Sequence, residues 1–425
     1  MTSVHFLYSR AVNLFDTAAI LTVLAAAFGV FNERVLRLPS TIGTMLIALS
    51  VSLLAVLLDG LFPFWGLRAS FDGFLLGIDF NRTLMQGMLS FLLFAGALHV
   101  DLEQLLKRRW VILSLAVFGV LISTAIVGAA TYFLLRLAGF ATPPTLCLVF
   151  GALISPTDPV AVLGLLKEMK ASPELEAQIA GESLFNDGIG VVVFLAAVAL
   201  AGLAPGQAEL TASGVAALFM REVLGGIALG LLSGFLAYRA LLAVKNHSLE
   251  LLITLALVLG CYSLCIHLHA SGPIAVVLAG LFIGNHGKRF AMSEDGARRI
   301  GDFWNLLDEF LNALLFLLVG LEIFIVHPTA PEIAAGLVAI PVVLLARFAA
   351  VGLPISALNL QREFAPGIIP ILTWGGLRGG ISVALALSLP EFPGKRLLLT
   401  ATFAVVLFSV LVQGLSIGRL VRRYR

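Results

Sequence analysis

The stretch Gly181-Glu182-Ser183-Leu184-Phe185-Asn186-Asp187-Gly188 sets four oxygen-bearing side chains into an otherwise apolar segment. Glu182 and Asn186 are four residues apart, as are Ser183 and Asp187, so on a helix they form one patch about one turn tall. Ionisable groups at membrane depth are costly, and where they persist they mark ion pathways and proton relays. A buried carboxylate needs a positive partner, and either a proton or a dehydrated alkali cation can serve. A carboxylate that holds one or the other, never both, couples the two flows without a separate relay. Oxygen-only ligation suits such hard cations and disfavours soft metals. Thr157, in Ser155-Pro156-Thr157-Asp158-Pro159, offers a further hydroxyl or carbonyl. The candidate set for a cation such as Na⁺ is therefore Asp187, Ser183, Glu182 and Thr157. Asp158 serves either as a cap for helix dipoles or as a direct or water-mediated contact. The competing reading makes Glu182, Asn186 and Asp187 hydrogen-bonding glue between helices.

The elements that position these residues follow from composition. The chain is 60% hydrophobic and 12% charged, with a mean hydropathy of +1.03; a soluble domain carries about twice that charge. This is a polytopic, all-α membrane protein. The net charge of +2, with no basic patch interleaved with aromatics, leaves no footprint for nucleic acid. Spans of about 20 residues are expected near 13–32, 38–58, 83–100, 110–135, 144–166, 175–202, 213–240, 248–268, 271–285, 303–326, 332–357, 366–389 and 397–418, roughly 13 in all. The first lacks a small-residue cleavage site after it and reads as retained. The apolar stretch 60–80, interrupted by Pro63, Asp72 and Asp79, reads as an interfacial loop.

Charge orients the bundle. Arg34 and Arg37, Lys107 to Arg109, Lys167 and Lys170, Arg239 and Lys245, the 288–299 linker, Arg362 and the 419–425 tail fall on one side, whereas the loops after spans six, eight and ten carry no Lys or Arg. The positive-inside rule makes that side cytoplasmic, with the N-terminus outside and the C-terminus inside. Lys395 and Arg396 run against the rule, as do Arg68, Arg82 and Arg136. The chain ends almost at the last span, so no soluble regulatory domain is expected.

Two spans read as broken. Pro156 and Pro159 cannot both sit in regular helix, because each removes an N–H and crowds the preceding turn. Span twelve carries Gly375-Gly376-Leu377-Arg378-Gly379-Gly380, a cluster that also unwinds helix. Paired interruptions in corresponding halves point to a transporter's binding site. Asp158 in one break and Arg378 in the other have the signs needed to neutralise converging helix N-termini and C-termini.

Other polar residues carry weaker signals. Glu322 ends span ten, and Arg347 lies inside span eleven, where it pairs with an acid or snorkels. Gly226, Gly230 and Gly234 form a small-residue stripe for close helix packing, within the chain or across a dimer. Cys261, Cys265 and His269 share one helical face, which reads as packing or, alternatively, as a metal site.

Together, Ser-Pro-Thr-Asp-Pro at 155–159, Gly-Glu-Ser-Leu-Phe-Asn-Asp-Gly at 181–188 and Gly-Gly-Leu-Arg-Gly-Gly at 375–380 resemble the sodium/proton exchangers of the monovalent cation/proton antiporter superfamily, with weaker echoes at 91–97 and 316–320. The resemblance implies a 13-span inverted-repeat fold with two crossed discontinuous helices. It also implies a core domain near 110–202 and 303–418, a dimerisation domain near 13–100 and 213–285, a homodimer, and elevator-like movement of one against the other. It makes Asp187 the cation and proton carrier, with Ser183, Glu182 and the backbone of Thr157 as co-ligands, and Asn186 and Arg378 as structural members of the core. Members with Asn-Asp here tend to exchange one cation for one proton. Several relatives carry an acid where this chain has Ala95; if that acid pairs with the span-twelve arginine, Arg378 needs another partner, for which Glu182 and Glu322 are the candidates.

The leading expectation is thus a secondary antiporter in the cell membrane, exchanging Na⁺ or Li⁺ for protons, with no cofactor and no enzymatic activity. A K⁺/H⁺ exchanger of the same fold is the alternative, because Na⁺ and K⁺ differ in size rather than ligand chemistry. An intramembrane aspartyl protease using Asp158 and Asp187 is a remote third, since it leaves Glu182, Ser183 and Asn186 unexplained.

Overall fold

A computed structural model describes residues 14–62, 87–140, 142–168, 173–203, 212–326, 328–359 and 367–424. Among them, helices or half-helices overlap every expected span. They are α1 (Leu14–Phe31), α2 (Ser40–Leu61), α3 (Leu89–His99) and α4 (Arg109–Leu137, through a π turn), followed by the half-helices α5 (Pro144–Ile154) and α6 (Val160–Glu168). Then come α7 (Pro173–Leu200), α8 (Ala212–Leu242), α9 (His247–Leu268), α10 (Gly272–Phe282), α11 (Glu294–Val326) and α12 (Ala330–Asn359). The half-helices α13 (Ile368–Gly375) and α14 (Gly380–Ser388) precede α15 (Lys395–Arg423), which also contains a π turn. Most of the loop expected at 60–80 lies outside the described residues; α2 itself continues through Leu61. Part of the 288–299 linker is helical, because α11 begins at Glu294, with Ser293 capping the Gly296 amide.

Prolines do different things in different spans. α12 runs unbroken through Pro341 and Pro354, each isolated enough for the flanking turns to close around the lost N–H. Pro156 and Pro159 lie three apart, and there the helix stops at Ile154 and restarts at Val160. The unwound strands of the two broken spans meet: Asp158 N donates to Leu377 O at 2.8 Å, an antiparallel bridge at the crossing. Each break thereby satisfies backbone groups of the other, where an unmade bond costs about 1–3 kcal/mol.

α7 lies at the centre, with 83% of its apolar window buried, against 11% for α8. α4, α5, α12, α14 and α15 share one apolar cluster with α7. The 303–326 span, grouped on sequence with that core, has other companions: α11 lies mainly along α2 and α3, with lighter contact to α14 and α15. The reason is steric and local, since Gly320 lets α11 close on Ala48 and Met45 of α2. The glycine stripe of α8 packs within the chain: a Cβ at Gly226 or Gly230 would strike the backbone oxygens of Ser271 or Ala275 beside α10. Cys261 and Cys265 are buried packing residues, His269 ends α9 in the left-handed conformation, and no three candidate metal ligands cluster among the described residues.

Candidate functional site

The site is built where α7 passes the crossing. Thr157, in the first break, is fixed to α7 by three contacts. Its amide donates to Asn186 Oδ1 at 3.2 Å, Asn186 Nδ2 donates to its Oγ1 at 2.6 Å, and that Oγ1 lies 3.2 Å from Ser183 Oγ. Asn186 thus spends both ends of its amide holding the unwound strand against α7. Ser183 and Thr157 bring two hydroxyl oxygens together on the face that also carries Asp187. Asp187 is 6% exposed, and its Oδ1 has no hydrogen-bond partner among the described residues. A buried carboxylate oxygen left unpaired is expensive, and a proton or an alkali cation relieves that cost. The oxygens present fit a hard monovalent cation.

Asp158 takes the cap position. Its Oδ1 accepts the Val160 amide at 2.9 Å in the first turn of α6, and a Cβ at Gly379 would overlap its Oδ2, so the approach of the two breaks requires glycine there. Opposite in sign, Arg378 donates through Nη1 to the carbonyls of Ser155 and of Pro156, the latter at 2.9 Å, at the end of α5. The two charges therefore neutralise the positive and negative helix ends that meet at the crossing.

The buried charges are paired as follows. Among the described residues Arg378 is hydrogen-bonded to the α5 carbonyls and to neither Glu182 nor Glu322, the two acids offered for it on sequence; Ala95 lies in a separate apolar cluster with Trp304. Glu182 Oε1 is 2.5 Å from Arg347 Nη1, both side chains being almost wholly buried. Arg347 also donates to Leu372 O, at 3.1 Å from Nη2 and 3.3 Å from Nε. That guanidinium lies against Gly376, where any Cβ would collide with it. Glu322 is buried near the C-terminal end of α11.

Sequence reasoning assigned nothing to Ser409 and Gln413. Both lie in the π turn of α15 and serve the second break: Ser409 Oγ accepts the Arg378 amide at 2.8 Å, and Gln413 Nε2 donates to Trp374 O at 3.0 Å. A π turn widens one helical turn and re-aims its side chains, a device that recurs at functional sites. The signal in the sequence was only a pair of polar residues in an apolar span.

Substitution of Ser183 by Ala is expected to raise the half-saturating cation concentration about tenfold while changing maximal turnover by less than about threefold, because one neutral oxygen near the cation is lost. Initial rates over a cation series at fixed pH measure this; an unchanged half-saturation would remove Ser183 from the ligand set.

Comparison with known proteins gives the family and the fold. The family described as sodium/hydrogen exchanger, transmembrane, matches residues 17–423. The chain is 46% identical over 415 residues to the Na(+)/H(+) antiporter NhaP of Pseudomonas aeruginosa, covering 96% of this chain and 97% of that one. It is 36% identical over 347 residues to the Na(+)/H(+) antiporter NhaH of Halobacillus aidingensis, covering 81% and 83%. Among solved structures, the sodium proton antiporter MjNhaP1 from Methanocaldococcus jannaschii superposes with a TM-score of 0.73 at 20% identity, covering 97% of this chain and 99% of that chain.

Proposed function

We propose, from the premise that the chain belongs to the sodium/hydrogen exchanger family and is a multi-pass membrane antiporter exchanging a cation for protons, that Asp187 is the group carrying both. The observation behind this is its buried, unpartnered Oδ1 beside the hydroxyls of Ser183 and Thr157 at the crossing of two unwound strands. Sodium is the favoured cargo, since the relatives named above are Na(+)/H(+) antiporters. Lithium follows on the same oxygens; potassium is the reading to separate, by cation competition against one proton-flux readout. The chain is a transporter, and Asp158, committed to the α6 amide, is not a proteolytic partner for Asp187.

Exchange on this reading is electroneutral. Glu182 contributes a fixed charge held by Arg347, and Asn186 is neutral, so one carboxylate is left to trade a cation for a proton. Cation-driven pH change in proteoliposomes, with and without a potential clamp, tests this: the expected flux is indifferent to voltage. Voltage-driven flux would overturn it and bring a second carboxylate, Asp158, into the cycle. Proton and cation competing for one site also raises the half-saturating cation concentration by up to about tenfold per unit of falling pH.

The mobile unit in this reading comprises α4 to α7 and α12 to α15, sliding against the remaining helices. The little-buried flank of α8 offers a surface for a second copy, and the basic loops support a cytoplasmic C-terminus and an N-terminus outside.

A further inference from the structure

Each break at the crossing is pinned to the continuous helix that follows it in the chain. On the first, Ser183 and Asn186 of α7 hold Thr157; on the second, Ser409 and Gln413 of α15 hold the Arg378 amide and the Trp374 carbonyl. The first pairing leaves the open carboxylate oxygen of Asp187. The second leaves a small cavity behind the break, enclosed by α12, α13 and α15. Arg347, Thr373, Gly376, Arg378 and Gln413 line its polar side, and apolar side chains such as Val343 line the rest. Its volume of about 10 Å³ holds one water and nothing larger.

The hydrogen-bonding groups around it match that occupant. Arg347 is already engaged by Glu182 and by Leu372 O. Arg378 spends only Nη1, on the carbonyls of Ser155 and Pro156. Its Nε and Nη2, and the Oγ1 of Thr373, have no hydrogen-bond partner among the described residues, although Arg378 is 1% exposed and Thr373 9%. Buried donors of a charged group are costly to leave unmade. Nε and Nη2 share one edge of the guanidinium, so their N–H bonds converge on a single acceptor. Gln413 gives its amide nitrogen to Trp374 O, which leaves its side-chain oxygen to accept. Two donors, one acceptor and a hydroxyl that does either satisfy a water in full. It receives two hydrogen bonds from Arg378 and gives two, to Gln413 Oε1 and Thr373 Oγ1.

We infer that this cavity is the binding site of one resident water, which joins the free edge of Arg378 to Thr373 of α13 and to Gln413 in the π turn of α15. Through it these two side chains hold the guanidinium whose Nη1 closes on the end of α5. One molecule thus ties the second break, the π turn beside it and the end of the first broken helix into a single unit. Gln413 serves that unit twice, directly through Trp374 O and again through the water.

The test is the sign of one stability change, read as the thermal unfolding midpoint of the purified protein. Thr373→Val keeps the shape of the side chain and removes its hydroxyl. With a water bound, the substitution deprives that water of a partner, and the midpoint is expected to fall by about 1–2 °C. In a dry cavity the same substitution removes an unsatisfied buried polar group. The midpoint then stays level or rises, and that result overturns the inference. Should the variant fail to fold, the wild-type protein decides it in a density map that orders waters. A single peak within hydrogen-bond distance of Arg378 Nε and Nη2, Thr373 Oγ1 and Gln413 Oε1 supports the site, and a cavity without density overturns it. Either result leaves cation/proton exchange at Asp187 untouched.

Discussion

Asp187→Asn is expected to bring cation-driven proton flux down to background while the protein still inserts, purifies and unfolds like wild type. The change keeps the shape and removes only the ability to exchange a proton for a cation. Asp187 Oδ1 makes no hydrogen bond among the described residues, so replacing that oxygen breaks none there, and exchanging a buried carboxylate for a neutral amide relieves a desolvation cost. The midpoint of unfolding should therefore stay level or rise. This separates a carrier from a structural acid, whose loss lowers stability and flux together. The measurement is a dilution-driven pH change in proteoliposomes at matched protein density, with the unfolding midpoint recorded on the same preparation. Wild-type flux in the variant would end the assignment of Asp187.

The largest expected effect on stability lies at the Glu182–Arg347 pair. Their 2.5 Å contact involves side chains only 2% and 6% exposed, so removing one partner strands a charge in a low-dielectric core. Arg347→Met is expected to cost about 3–5 kcal/mol, the range found when a buried ion pair loses one member. Glu182→Gln should cost less, because Arg347 keeps the Leu372 carbonyl. The double variant removes a neutral pair and is expected to be markedly more stable than Arg347→Met alone, with measurable exchange restored. Unfolding midpoints for the four proteins of this cycle give the coupling; additive losses would mean that the pair is not the reason Arg347 is there.

The site was legible in the sequence to the extent that its logic is local. Glu182, Ser183, Asn186 and Asp187 share a helix, so their spacing alone gave the patch. Pro156 and Pro159 announced a break because proline chemistry acts on its own turn. The glycine cluster at 375–380 announced the second break, although not the reason for each glycine. Gly376 and Gly379 are there to admit the Arg347 guanidinium and the Asp158 carboxylate, contacts made from 29 and 221 residues away. Isolated Pro341 and Pro354 show the limit of the rule, since the same residue without a second one nearby leaves a continuous helix.

Pairing was the part that spacing could not supply. Arg378 and Arg347 were both visible as cations inside spans, with Glu182 and Glu322 offered for Arg378 and only an unnamed acid or the surface for Arg347. The tertiary structure decided it by direction: the end of α5 turns two carbonyls towards Arg378, while α12 passes α7 at the height that sets Arg347 against Glu182. The companions of α11 were decided in the same way, by a close approach at Gly320. By itself, the sequence determined that the chain lives in a bilayer, that two spans unwind and that four oxygen-bearing side chains share one helical patch, because hydropathy, proline geometry and helical periodicity act within a few residues. Which charge neutralises which was settled only in the folded bundle, because electrostatic partners are chosen by distance in space.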